Sequence, residues 1–210
     1  MTRLTRSIIE YKLPVVFTSD DVKKLEPDDH VRYCQMSRAI ASGDIQRIRR
    51  GFYTLNKIFR TAAINEHILA NLFVPKSYIS FETALWDSGW IPEFVYEIAS
   101  VSLKPSCEIK TPFAVYSYTR IPQKDLMAGT YTAAYGNYII NEAKPLKALA
   151  DYVYTFDYDW DTLKPLQQSL RIDIENLQTL TAADFDELEG NYDTGKVAAF
   201  LEGIRKELAI

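Results

Sequence analysis

Arginine, glutamine and serine side chains are concentrated between residues 32 and 50, and they suit one kind of chemistry. Arginine can pair with guanine, and glutamine with adenine, through two hydrogen bonds, while serine can bond either kind of base. One group follows helical spacing and consists of Arg32, Gln35, Ser37, Arg38 and Ser42. A second group is closely spaced and consists of Arg47, Arg49 and Arg50. The pattern indicates nucleic-acid recognition, although a solvated helix face explains the first group alone more simply.

The second group belongs to a predicted β-hairpin. Residues 44–55 favour two short strands joined by a tight turn, because β-branched and aromatic residues flank Arg50-Gly51. Gly51 supplies the positive φ that such a turn needs. Three arginines on one small hairpin repel one another, so folding alone does not favour the arrangement, whereas a phosphate backbone relieves the repulsion. The hairpin therefore strengthens the interpretation that the partner is DNA.

Two helices are predicted at the start of the chain. The first covers about residues 5–12, and Pro14 ends it. Thr18 is placed to cap the second, a helix of about two turns. Asp21, at the third position of this helix, can complete a capping box with Thr18.

A third helix carries the first polar group. It covers about residues 30–41, with Asp28 or Asp29 as its N-cap and Gly43 at its end. The residues expected to face the core follow helical spacing and are Tyr33, Met36 and Ile40. The polar group then forms a separate stripe on this helix.

The charge of the chain is divided between its first quarter and the remainder. Residues 1–60 contain 12 Lys/Arg against 7 Asp/Glu, a balance of +5, whereas the remainder contains 12 against 21, a balance of −9. A basic first quarter on an acidic body indicates a polyanionic partner for that quarter. Three helices followed by a basic hairpin are the order of a winged helix-turn-helix. We therefore expect residues 1–60 to form such a domain and to bind double-stranded DNA.

Several segments of the sequence resemble one known family. They are Phe-Thr-Ser-Asp-Asp-Val at residues 17–22, Ile-Arg-Arg-Gly-Phe-Tyr-Thr-Leu at 48–55, Tyr-Ile-Ser-Phe-Glu-Thr-Ala-Leu at 78–85, Gly-Trp-Ile-Pro-Glu at 89–93, Thr-Pro-Phe-Ala-Val-Tyr at 111–116 and Ala-Lys-Pro-Leu-Lys-Ala-Leu-Ala-Asp at 143–151. In this order, the chain resembles the AbiE-type abortive-infection antitoxins, which are also transcriptional regulators. The segments at 78–85 and 143–151 are more specific than the hairpin motif.

The resemblance implies a function in two parts. The N-terminal domain would bind inverted repeats in its own promoter and repress its operon. The C-terminal domain would oppose a nucleotidyltransferase-like toxin encoded alongside, without a stable complex between the two proteins, which is called type IV behaviour. Whether protomers pair on the inverted repeat is left open.

The rest of the chain predicts a mixture of helices and strands. The pattern becomes β from Phe94 to Ile140, with a turn at Gly136-Asn137. Pro145 opens a helix at its favoured first position. The other helices are expected over about residues 61–74, after Ser80, and over about 161–170, 181–189 and 194–208.

These elements predict an α+β chain with three parts. Residues 1–60 form the winged helix-turn-helix, and residues 61–92 form a helical connector. Residues 93–210 form a mixed α/β domain with antiparallel strands and flanking helices. No low-complexity linker separates the parts, so a helix and not a flexible tether is expected to join them.

Alternating aspartates follow the predicted strand region. Asp157, Asp159 and Asp161 are of a type that can hold Mg²⁺ in phosphoryl-transfer enzymes. A nucleotidyltransferase would also need an upstream Gly-Ser pair to grip phosphate, and the sequence contains none. We therefore expect a polar turn that caps the next helix.

The other residue types that support catalysis are isolated. His30 and His67 have no partner at metal-ligand spacing, and we expect the first at a helix start and the second on a surface turn. Lys147 and Asp151 are one helical turn apart, which predicts a modest surface ion pair. The sequence thus predicts no catalytic residue, no metal site and no cofactor, and we expect a protein that is not an enzyme.

The chain is expected to remain in the cytoplasm. No apolar run approaches the roughly 18 residues that cross a bilayer, so no membrane partner is expected. The apolar stretch after the basic N-terminus is too short for a secretory signal. Cys34 and Cys107 are the only cysteines, as is typical of a reducing compartment, and a disulfide between them is left open.

Three alternatives to the leading interpretation remain. The chain could be a plain transcriptional regulator without antitoxin activity. Its winged helix could bind a protein partner instead of DNA. It could also be an enzyme with a winged-helix appendage, although no convergent catalytic site is visible.

Overall fold

The computed structural model describes residues 1–93, 95–136 and 138–210. Phe94, where the predicted strand region begins, and Asn137, in a predicted turn, lie outside the described residues. The chain is of the α+β class, as predicted. It divides into two compact units, of which unit 1 is Met1–Asn65 with Thr111–Phe113 and unit 2 is Glu66–Lys110 with Ala114–Ile210.

Unit 1, all of whose residues are described, combines helices with a small antiparallel sheet. In chain order its elements are α1 (Arg3–Glu10), β1 (Val16–Thr18), α2 (Ser19–Leu25), α3 (Asp29–Ala41), β2 (Ile45–Arg49) and β3 (Phe52–Leu55). β3 lies between β1 and β2 in the sheet. The hairpin of β2 and β3 confirms the prediction, whereas β1, with three residues, is too short to show a strand pattern in the sequence.

Local hydrogen bonds fix the helix starts of unit 1. The backbone N–H of Asp21 donates to Thr18 Oγ1 at 3.2 Å and that of Thr18 to Asp21 Oδ2 at 2.9 Å, so the predicted capping box is present. Asp28 caps α3 by accepting from the N–H of Val31 at 2.8 Å. α1 begins two residues earlier than expected because Thr2 is its N-cap.

The orientation of α3 differs from the prediction. Tyr33 is 74% exposed and Ile40 is 38% exposed, so these two residues do not face the core. Ala39 is the fully buried residue of the helix, and Met36 packs beside it on the core of Leu4, Ile8, Phe17, Val22, Ile45 and Leu55. The inner face therefore shares Met36 with the expected stripe but includes Ala39 in place of Tyr33 and Ile40.

Unit 2 is built around a larger sheet. The described elements, in chain order, are α4 (Glu66–Phe73), β4 (Tyr78–Ile79), α5 (Phe81–Asp87), β5 (Glu97–Ser102), β6 (Cys107–Lys110), β7 (Val115–Arg120), β8 (Thr130–Tyr135), β9 (Tyr138–Ala143), α6 (Pro145–Phe156), α7 (Leu163–Ser169), α8 (Ile174–Leu177), α9 (Ala182–Asp186) and α10 (Gly195–Leu208). The sequence predicted each of these elements except β4 and α8, which are too short to give a periodic pattern. None of the described helices is both long and apolar enough to span a bilayer.

The sheet of unit 2 is mixed and not simply antiparallel as predicted. Its order is β6-β7-β5-β4-β9-β8. β5 pairs with β7, and β4 with β9, in parallel, whereas the other neighbours are antiparallel. The two-residue strand β4 causes part of this difference, because it inserts between β5 and β9 and could not be seen in the sequence.

α6 is the central helix of unit 2. Pro145 occupies its first turn, as predicted, and Leu146, Leu149 and Val153 join the main core. Lys147 and Asp151 are also fully buried, so the prediction of a surface ion pair is wrong. The spacing of the two residues did not reveal their burial, because a helix packed on more than one side buries polar positions as well as apolar ones.

Candidate nucleic-acid interface

The solvent-facing side of α3 carries only part of the predicted polar group. Ser37 and Arg38 are exposed, together with Tyr33 and Ile40. Ser42 follows as the exposed C-cap, and its hydroxyl donates to the Ala39 carbonyl at 3.1 Å. The outer face of the helix is therefore amphipathic, with one positive charge.

Arg32 and Gln35 lie towards the connection between α2 and α3. The Arg32 guanidinium donates to the carbonyl oxygens of Glu26 at 2.8 Å and Pro27 at 3.1 Å, and it pairs with Asp29. Gln35 Nε2 donates to Glu26 Oε2 at 3.3 Å. Both side chains are hydrogen-bonded to groups within unit 1, although Gln35 also lines a groove together with Arg38.

A groove lies between the start of α1 and α3. It has a volume of about 540 Å³ and is lined by residues of both helices, including Arg3, His30, Cys34 and Arg38. Arg3 and Arg38 give this groove a positive rim. Sequence reasoning missed Arg3, whose only signal was its place in the basic first six residues of the chain.

Asp44 holds the start of α1 against the beginning of the hairpin. It accepts hydrogen bonds from the backbone N–H of Thr2 and, at 3.0 Å, from the Thr5 hydroxyl. The Thr2 hydrogen bond holds the pKa of Asp44 below its ordinary value, because it stabilises the charged carboxylate. The start of α1, which carries Arg3, is thus held by a residue that lies 39 positions after Thr5 in the chain.

The hairpin presents its arginines in different ways. Ile45 and Ile48 are both buried, and a β-bulge between Arg47 and Arg49 interrupts the alternation of the strand between them. Arg47 and Arg50 are exposed. Arg49 is half-buried, with its guanidinium carbon 5.8 Å from the centre of the Phe52 ring.

The tip of the hairpin is held in place by the backbone. Gly51 has a φ of +85°, as the predicted turn required, and no other group approaches the position a Cβ would take. Its carbonyl accepts a hydrogen bond from the N–H of Ser19 at 3.1 Å, at the start of α2. The hairpin, which follows α3 directly in the chain, is therefore hydrogen-bonded at its tip to the start of α2.

The chain matches no protein-family model and no curated protein. The resemblance to the AbiE-type antitoxins therefore stays a prediction from the quoted segments.

Two of those segments meet in a buried polar network in unit 2. Asp151 accepts hydrogen bonds from the hydroxyls of Tyr78 at 2.8 Å, Ser80 at 2.7 Å and Tyr192 at 2.7 Å. Lys147 donates to Gln123, which in turn donates to Asp151 at 3.2 Å. Ser80 is the N-cap residue of α5, but its hydroxyl makes no capping hydrogen bond because it donates to Asp151.

Burial dominates the electrostatics of this network. It raises the pKa of Asp151 and lowers the pKa of Lys147, while the Lys147 charge and the hydroxyl donors favour the charged form of Asp151. Both side chains are enclosed by protein, and the ammonium of Lys147 also lies 4.9 Å from the centre of the Tyr78 ring. The network connects α6 to β4 through hydrogen bonds, and we interpret its role as structural.

Two other predictions in unit 2 are corrected. Asp157 ends α6 with a φ of +56°, and it pairs with Lys196 at 2.8 Å, as Asp159 does at 3.3 Å. The aspartates therefore do not cap the next helix, whose N-cap is Thr162. His67 lies in α4 and not on a surface turn, with its Nε2 3.3 Å from Asp87 Oδ2.

Proposed function

We propose that unit 1 is a winged helix-turn-helix domain that binds double-stranded DNA, and that the chain is a transcriptional repressor. The observation that carries the proposal is the placement of the exposed face of α3 next in the chain to a hairpin with exposed Arg47 and Arg50. The element order and the charge of +5 in residues 1–60 support it.

In this proposal α3 is the helix that enters the major groove. Arg38 is the side chain able to make two hydrogen bonds to guanine, and Ser37 lies beside it. Tyr33 and Ile40 offer apolar surface of the kind that contacts thymine methyl groups. Arg3, Arg47 and Arg50 are placed at the periphery, where phosphate contacts position a domain without reading sequence.

The test is a binding titration of the full chain with the duplex upstream of its own gene and with a scrambled duplex of equal length. We expect tighter binding to the upstream duplex and weaker binding to both by the Arg47→Ala/Arg50→Ala variant. The matched control removes two exposed charges from unit 2, as Lys104→Ala/Lys164→Ala. Equal loss in both double variants, or no binding by the unaltered chain at low salt, would contradict the proposal.

A protein partner is the second candidate for α3. Val31 is 40% exposed, Tyr33 74% and Ile40 38%, so the outer face of the helix offers more apolar surface than a phosphate contact requires. Replacing Tyr33 and Ile40 would weaken either kind of binding, so salt dependence separates the two, because binding of a protein partner through this apolar surface would depend little on salt. DNA binding would fall steeply with salt.

The resemblance to AbiE-type antitoxins supports a wider role in the cytoplasm. In that role unit 1 represses the chain's own operon at an inverted repeat, and unit 2 opposes a nucleotidyltransferase-like toxin without a stable complex. A toxin gene beside the gene for this chain, and protection of cells on co-expression, are the expected findings. Repression without protection would reduce the function to that of a plain regulator.

A further inference from the structure

Three potential metal ligands converge in unit 2 from distant parts of the chain. His67 comes from the first turn of α4, Asp87 from the end of α5 and Glu142 from β9. One donor atom from each lies within 4.8 Å of the other two, and His67 Nε2 is 3.3 Å from Asp87 Oδ2. An imidazole and two carboxylates are a donor set that divalent transition metals accept.

Glu142 provides a second and independent observation. The residue is 5% exposed, and its Oε1 has no hydrogen-bond partner among the described residues. A buried carboxylate oxygen without a partner is costly and calls for a positive group at that position. A cation between the two carboxylates would supply that positive group.

We propose that His67, Asp87 and Glu142 form a binding site for one divalent transition-metal cation of the Zn²⁺ type. Bonds of about 2.0–2.2 Å to a tetrahedral ion separate its ligands by about 3.4 Å, which is close to the distance between His67 and Asp87. A neutral imidazole and two carboxylates also balance the charge of a dication.

The surroundings allow the ion to enter and to exchange. The side chains of His67 and Asp87 are 27% and 16% exposed, so one side of the site faces solvent, whereas Glu142 forms its floor. Three protein ligands leave a fourth position for water. The bound ion would connect α4, α5 and β9, and thereby stabilise one end of the sheet.

The sequence could not indicate this site. The ligands are separated by 20 and 55 residues, and none belongs to a short motif such as His-x-His. Glu142 is brought to the same part of unit 2 as the other two by the pairing of β9 with the two-residue strand β4 and by the hydrogen bond from the N–H of Asn141 in β9 to Asn71 Oδ1 in α4.

The experiment is a Zn²⁺ titration by calorimetry on untagged full chain in a Cys34→Ser/Cys107→Ser background, because thiols also capture zinc. We expect one ion per chain and a higher Tm with zinc than with a chelator. Glu142→Gln and His67→Gln should each weaken binding by roughly 100-fold, at least as much as losing an outer partner of a metal site. His30→Gln, which removes the other histidine, is the matched control and should bind as the parent does.

Circular dichroism checks that each variant is folded. If Glu142→Gln does not fold, Asp87→Asn at the solvent-facing side replaces it in the comparison. The proposal is overturned if the parent binds no zinc at high micromolar concentration. It is equally overturned if the folded His67 and acidic variants bind as tightly as His30→Gln does.

Discussion

The arginines of the β2–β3 hairpin differ in how much of each side chain reaches solvent. Arg47 and Arg50 are exposed, whereas Arg49 is half-buried against Phe52. We expect Arg47→Ala and Arg50→Ala to weaken binding to specific and random DNA alike, because contacts to phosphate do not read sequence. Each should lower the slope of log K against log salt by about one unit. Arg49→Ala should have a smaller effect on the slope.

Titrations between about 50 and 200 mM salt measure these slopes. Affinities that stay unchanged at low salt in both exposed-arginine variants would place the hairpin away from the DNA.

Sequence preference should depend on Arg38 and not on Gln35. Arg38 is exposed on α3, whereas the Gln35 amide is hydrogen-bonded to Glu26. We expect Arg38→Ala to cost about 1–3 kcal/mol of binding free energy and to relax preference at one base position. Binding-site selection on Arg38→Ala and Gln35→Ala provides the comparison. An altered consensus for Gln35→Ala, or an unaltered one for Arg38→Ala, would contradict this assignment.

At the scale of elements, α6 depends on the network around Asp151. Lys147→Ala leaves Asp151 buried without its positive neighbour, and we expect a loss of about 3–5 kcal/mol in the free energy of unfolding. Lys144→Ala on the same helix is the matched control. It removes only a partly exposed pair with Glu187, and pairs of this kind contribute about 0–1 kcal/mol. Urea unfolding of unit 2 measures both, and equal losses would show that the network contributes little stability.

The elements that the sequence predicted correctly are those fixed by local interactions. Thr18 and Asp21 are three residues apart, so their capping box is visible in the sequence, as is the turn at Gly51. The inner face of α3 was not visible, because the core that buries Ala39 is built from residues distant in the chain, such as Leu4 and Leu55. Asp151 similarly meets Tyr78 across 73 residues. Contacts of that range depend on the sheet order, which β4 alters.

The candidate interface was predicted in part for the same reason. The hairpin arginines follow from a local turn, and two of them are exposed as a DNA contact requires. On α3, the sequence did not show how far the solvent-exposed polar stripe extends around the helix, and we assigned Arg32 and Gln35 to it together with Arg38. In the structure Arg32 and Gln35 are hydrogen-bonded to groups of Glu26 and Pro27, although Gln35 lines the same groove as Arg38.

At the scale of the whole molecule, the division of charge predicts that the two units have different functions. A chain lacking its first 65 residues should lose DNA binding and repression, because the +5 balance lies in residues 1–60. If the proposed antitoxin role is correct, this fragment still protects cells from the toxin on co-expression. Circular dichroism must show that the fragment is folded. A folded fragment without protection, alongside protection by residues 1–65 alone, would mean that neutralisation acts through transcription.

Hydrogen–deuterium exchange of the full chain, with and without duplex DNA from upstream of its gene, tests most directly whether unit 1 binds DNA through α3 and the hairpin. The measurement reports each segment separately, so it locates the contact as well as detecting it. We expect slower exchange in α3, β2 and β3 when DNA is present, and unchanged exchange in β5 to β9. Slower exchange confined to unit 2, or none in unit 1 while the DNA is bound, would contradict the central claim.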